Sequence, residues 1–176
     1  MYRNVKKCSP DFSASLDMYR LHVPINVLAL TACLAMCALP CAAQSEWISA
    51  TSGTWNDPNN WSSGVPNGGG QVAVFGPLAG PNLNATINAS PVTVGEIQFF
   101  GPEAVTINGT QTLTLDSAIL GQPSMIFVDP NAPLASIQTT LAGTEGLVKA
   151  GTGTLTLGGT LNYSGPTIIA EGTLAL

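Results

Sequence analysis

The sequence predicts an all-β protein built as a parallel β-helix, a solenoid whose coils stack one above another. Three observations lead there. Charged residues make up only 9% of the chain, which holds 19 Gly and 13 Pro; that composition suits short strands and turns better than long surface helices. Short words alternate apolar and polar side chains, as in Val92-Thr93-Val94, Val105-Thr106-Ile107, Leu113-Thr114-Leu115 and Leu155-Thr156-Leu157, the mark of strands with one buried face. These words return at a loose spacing near 20, since Val94, Leu115, Ile137, Leu155 and Leu174 are separated by 21, 22, 18 and 19 residues. A period of that length marks units that bury their apolar face only by stacking on their neighbours.

The N-terminal segment stands apart from this pattern. Leu21 to Ala43 reads "LHVPINVLALTACLAMCALPCAA", with an uncharged core from Val27 to Leu39. Lys6, Lys7 and Arg20 precede it, and Ala42 and Ala43 close it. This layout predicts a signal-peptide helix over residues 1–43, cleaved after Ala43. The apolar core is too short for a membrane span, which needs roughly 20 residues, so no stable span is expected in the mature chain. Met18, followed by Tyr19 and Arg20, offers an alternative start to Met1 and would leave residues 1–17 as an over-long reading. Cys8, Cys33, Cys37 and Cys41 all precede the expected cleavage site and read as small apolar residues of the signal. The exported part then carries no disulfide framework.

Charge narrows the functional classes. After residue 43 the only cation is Lys149, against the eight acids Glu46, Asp57, Glu96, Glu103, Asp116, Asp129, Glu145 and Glu171. A mature charge of about −7 repels phosphate backbones and argues against nucleic acid as a partner. The lone histidine, His22, lies in the signal, which removes nucleophile-and-His chemistry.

Two regions follow the signal. Residues 44–82 are rich in Trp, Asn, Gly and Pro and are expected to cap the solenoid. Residues 83–176 supply four or five coils, with strands too short for a wide sandwich. In Thr154-Leu155-Thr156-Leu157 the leucines are expected to face inward and the threonines outward. Gly151, Gly153, Gly158, Gly159, Gly165 and Gly172 fit corners that require positive φ. Gly153-Thr154-Leu155-Thr156-Leu157 returns as Gly172-Thr173-Leu174-Ala175-Leu176 at a step of 19, because consecutive coils need the same residues at the same corner. Ending on that second copy predicts a bare strand edge, and with it either the front piece of a longer passenger or a truncated gene.

Candidate sites are few. Trp47, Trp55 and Trp61 are expected to close the first coil, with a sugar-stacking platform as the other reading. Asp57 among Asn56, Asn59 and Asn60 offers oxygen ligands, but one carboxylate is few for calcium; no metal or cofactor is expected. Glu96 and Asp116 lie 20 residues apart, about one coil, and could form the carboxylate pair of a glycosidase. Ordinary corner acids are the simpler reading.

The stretch "GLVKAGTGTLTLGGTLNYSGPTIIAEGTLAL" (146–176) closely resembles the autotransporter-associated β-strand repeat of exported bacterial proteins. Lys149, Gly151, Gly153, Thr154, Leu155, Leu157, Asn162, Tyr163, Gly165, Thr167 and Gly172 sit where that motif would have them. Pro166 departs from it, standing where Gly or Ser is usual. "SGTWNDPNNWSSGVPNGGGQVAVFG" (52–76) is similar to the leader found ahead of such repeats. The resemblance implies a right-handed β-helical passenger, secreted or displayed at the cell surface, adhesin-like and without shared catalytic residues. No translocating barrel follows in this sequence. The expected function is thus a non-catalytic scaffold for adhesion or display, its partner an extracellular or surface molecule with carbohydrate as the candidate. The alternative is a carbohydrate-binding or polysaccharide-degrading module.

Overall fold

The computed structural model describes residues 43–77, 82–132 and 134–176; the expected signal peptide, save Ala43, lies outside them. Sixteen strands fall into three sheets, and every pairing between them is parallel. The first sheet stacks Gln44–Glu46, Val72–Phe75, Glu96–Phe99, Ser124–Val128, Leu147–Ala150 and Thr167–Ile169. The second stacks Gly53–Thr54, Leu83–Thr86, Val105–Asn108, Ala135–Ile137, Thr154–Leu157 and Thr173–Ala175. The third stacks Val92–Val94, Leu113–Leu115, Leu141–Gly143 and Leu161–Tyr163. The chain visits the first, second and third sheets in turn and then starts the next coil, which is a parallel β-helix of six rungs. Each strand is satisfied by its counterparts one coil away, about 4.8 Å above and below.

Inward side chains form columns. Leu83, Val105, Ala135, Leu155 and Leu174 occupy one level of the second sheet. Val92, Leu113, Leu141 and Leu161 do so in the third. Leu155 and Leu157 are buried, with Thr154 exposed and Thr156 half-buried, so the alternation places the leucines as expected. Each fully buried aliphatic side chain contributes about 1.5–3 kcal/mol, set against the entropy of ordering many corners.

The coil step is less regular than the sequence suggested. Val94 stands under Leu115 and Leu155 under Leu174, as expected. Ile137, however, pairs with Ile107 and Leu157, and Leu115 pairs with Gly143. The expected steps from Leu115 to Ile137 and from Ile137 to Leu155 therefore join different sheets or levels. The cause is the fourth rung, whose corners 116–123 and 129–134 are long where later corners such as 151–153 and 158–160 have three residues. From Ile107 to Ile137 the step is 30 residues, and from Leu155 to Leu174 it is 19.

The boundary expected near residue 82 also falls inside a coil. Val72–Phe75 belongs to the rung that continues with Leu83–Thr86, and Gln44–Glu46 is already hydrogen-bonded to it. The N-terminal region is thus part ladder and part lid. Among the described residues no helix is long and apolar enough to cross a membrane.

Candidate functional site

The tryptophans lie at the first rung. Gly53–Thr54 pairs with Ala85 and Thr86, which starts the second sheet. The chain then turns through Pro58–Asn60, a single 3-10 turn capped by the Asp57 carboxylate, which accepts from the Asn59 backbone N–H at 2.9 Å. This turn brings Trp61 back to bridge Trp47. All three indoles are buried, at 3% exposure or less. Trp61 meets Trp55 at 4.8 Å and Trp47 at 5.1 Å between ring centroids, and Phe75 at 5.7 Å. Phe75 in turn stacks on Phe99 at 5.5 Å, so the aromatic cluster runs down into the core. Each indole N–H finds a carbonyl: Trp47 donates to Ser49, Trp55 to Pro66 and Trp61 to Trp55. Buried indoles need such partners. Their ring faces are closed to a sugar, and the sugar-platform reading of Trp47, Trp55 and Trp61 is corrected on that ground.

Asp57 Oδ1 also accepts from the Asn59 side-chain amide, Asn60 donates to the Thr54 carbonyl and Asn56 to Ser90. These polar groups hold the turn. Glu96 and Asp116 likewise have local partners. Glu96 opens its strand facing outward, and its Oε1 accepts from the Gln98 amide at 2.5 Å. Asp116 Oδ1 accepts from the Ala118 N–H at 2.8 Å, pinning the start of the long corner. Glu96 lines a shallow groove with Ser117, Pro123 and Met125, of which Asp116 is not part.

The repeat positions occupy the last two coils, and each holds coil to coil or turns a corner. Gly151, Gly165 and Gly172 adopt φ of 73°, 85° and 70°, the left-handed region that side chains resist. Gly153, Gly158 and Gly159 do not, which corrects the expectation of positive φ there. Gly153 and Gly159 are needed for close approach instead, since a Cβ on Gly159 would overlap the Thr139 backbone in the coil below and one on Gly153 the Asp129 carbonyl, while one on Gly158 would meet only the Gln138 side chain. Asn162 faces outward beside Ala142, and the Tyr163 hydroxyl meets the Thr167 hydroxyl at 2.7 Å across the corner that contains Gly165. Pro166 accepts from the Leu147 N–H at 2.9 Å, so the departure at this corner still serves the ladder.

Lys149 is the position whose role sequence reasoning missed. Its strand alternates so that Leu147 and Lys149 both point inward, and Lys149 stands in the same column as Ile126 and Ile169. Its side chain is fully buried. Nζ donates to the carbonyls of Ala150 at 2.9 Å, Gly151 at 2.7 Å and Glu171 at 3.2 Å. Two successive corners are thereby tied by one ammonium, with all three donors used. Burial pushes its pKa below the usual lysine range, and the nearby Glu171 carboxylate opposes that in part. The signal was present in the sequence, because a Lys at period two from Leu147 must share its face.

This arrangement defines a class: a β-helical repeat protein whose recurrent residues build coils. Residues 147–176 match the passenger-associated-transport-repeat. The chain is also 35% identical over 138 residues, 71% of its own length, to the adhesin BmaC autotransporter of Brucella suis biovar 1 (strain 1330). Those residues span 4% of that relative's length. No solved structure matches the chain. It is an autotransporter-associated repeat protein.

Proposed function

We propose that the chain is an exported, non-catalytic β-helical scaffold that serves adhesion or display at the cell surface. The strongest support is that the transport-repeat match coincides with one complete coil and the first two strands of the next. Within it the motif residues serve strand pairing, corner geometry and the Lys149 tie. Similarity to a stretch of an autotransporter adhesin supports export and an adhesive role for the larger assembly. An extended outer surface, repeated at the strand spacing, suits many weak contacts better than one buried reaction.

Two measurements test this reading. Antibody labelling and protease shaving of intact source cells should find residues 43–176 outside, and deleting the coding region should lower adherence to host cells or matrix proteins. Retention inside the cell, or unchanged adherence after deletion, would overturn it. For the polysaccharide-degrading alternative, a panel of polysaccharides assayed for new reducing ends should show no release. Release abolished by Glu96→Gln would establish that alternative instead.

A further inference from the structure

The three sheets differ on their outer faces. In the second sheet one outward column reads Asn84, Thr106, Ser136, Thr156, and in the third the column reads Thr93, Thr114, Ala142, Asn162. These ladders are polar save for Ala142, with Ser136 itself buried. In the first sheet the outward column reads Glu96, Met125, Val148, Ile168, and beside it stand Gln98, Phe127 and Ala150. From the fourth rung to the sixth this face is apolar, half-buried at Met125, Phe127 and Val148 and 45% exposed at Ile168. Phe100 packs on Phe127 at 5.2 Å and widens the strip. Parallel sheets apolar on both faces are normally covered on both.

The acids have the same bias. Glu103, Asp129 and Glu171 lie on the corners leading from the first sheet to the second. Asp116 and Glu145 lie on those leading from the third sheet to the first. The corners from the second sheet to the third, 87–91, 109–112, 138–140 and 158–160, carry no charged residue, and of those beside the first sheet 151–153 and 164–166 carry none either. The apolar strip is therefore bordered by carboxylates on both sides, and no exposed cation balances them among the described residues, since Lys149 is buried.

We propose that the outer face of the first sheet, from Met125 to Ile168, docks a cationic amphipathic segment of a partner protein, an apolar stripe edged by Lys and Arg. This rests on reading the chain as a binding scaffold and names the surface and the partner chemistry. Strands of three to five residues at about 3.3 Å each set the acid borders roughly 10–17 Å apart, comparable with a helix about 10–12 Å across. Its flanking basic side chains then reach the corners while its apolar face covers Val148 and Ile168. A second copy of this chain would bring acid borders against acid borders, and an anionic bilayer would be repelled in the same way.

Binding of a synthetic 18-residue Lys/Leu amphipathic helix to the full chain, read by fluorescence anisotropy, tests this. The expected result is saturable binding that weakens at least tenfold between low and moderate salt. Val148→Thr with Ile168→Thr, which keeps β-branched strand residues, should weaken it tenfold or more. Glu145→Gln with Glu171→Gln should weaken it and flatten the salt dependence. Thr106→Ser with Thr156→Ser on the second sheet should leave it unchanged. The proposal is overturned if the Glu/Leu counterpart binds equally, or if the Val148/Ile168 pair has no effect. It is equally overturned if that pair abolishes a self-dimer, or binding to phosphatidylglycerol vesicles, in place of peptide binding. Cell adherence is read separately, so failure of the peptide assay and failure of the scaffold reading are distinguishable.

Discussion

The first rung and the sixth are made of the same kind of coil but bury their inward side chains to different degrees. At the first, Trp47, Trp55 and Trp61 lie over Phe75 and are buried to 3% exposure or less. At the sixth, the inward column ends on Ile169 at 53% exposure, with Leu176 at 84%. The repeat supplies strands and corners but cannot supply a lid, because every residue that fits between two coils leaves an apolar end when one coil is missing. The lid comes from the non-repeating text, where three large aromatics and a capped turn replace a coil. Burial separates the two regions energetically, together with the indole hydrogen bonds, the capped turn and the Trp47–Trp61 bridge that the first rung adds.

If that comparison holds, Trp61→Ala should have the largest effect, about 3–5 kcal/mol as for other buried aromatics. Urea unfolding followed by circular dichroism would measure it, and acrylamide should quench the wild-type tryptophans poorly. Next, Leu155→Ala should cost about 2–5 kcal/mol in an enclosed rung. Leu174→Ala, its half-exposed neighbour one coil on, should cost only about 1–2 kcal/mol; equal values would remove the contrast between interior and end. Gly159→Ala should cost about 1–3 kcal/mol through overlap with the coil below, visible as a lower melting temperature. Lys149→Met should cost about 1 kcal/mol, as lost carbonyl partners outweigh the relief of an unburied charge.

The smallest effect is one of pH. Because the Lys149 pKa is lowered on folding, the folded state binds fewer protons than the unfolded state between the two values. Its contribution is complete above the unfolded value of 10.5 and is lost as pH falls through the folded one. The stability of the wild type relative to Lys149→Met should therefore rise as pH approaches 10.5, and a flat difference would remove the buried-charge argument.

Much of this was legible in the residues, though unevenly. The alternation of Leu155 and Leu157 with threonines gave faces correctly, and Gly151, Gly165 and Gly172 gave corners. The apparent period misled at Ile137, which the spacing set in one series with Leu115 and Leu155, because the long corners 116–123 and 129–134 change the step without changing the strand words. The tryptophans were open to two readings because their residue type suits both a sugar platform and a lid. Only the turn at Pro58–Asn60, which folds Trp61 back onto Trp47, decides between them.

By itself the sequence determined that strands would be short, which side chains of each would share a face, and that coils would recur at about 20 residues. Those are local consequences of side-chain alternation and of glycine at tight corners. Only the tertiary structure decided which strand stands over which, that the Lys149 ammonium ties two successive corners, and that one of three outer faces is apolar between acidic borders. Register between coils depends on how loops of unequal length pack, and a face exists only once strands far apart in sequence lie side by side.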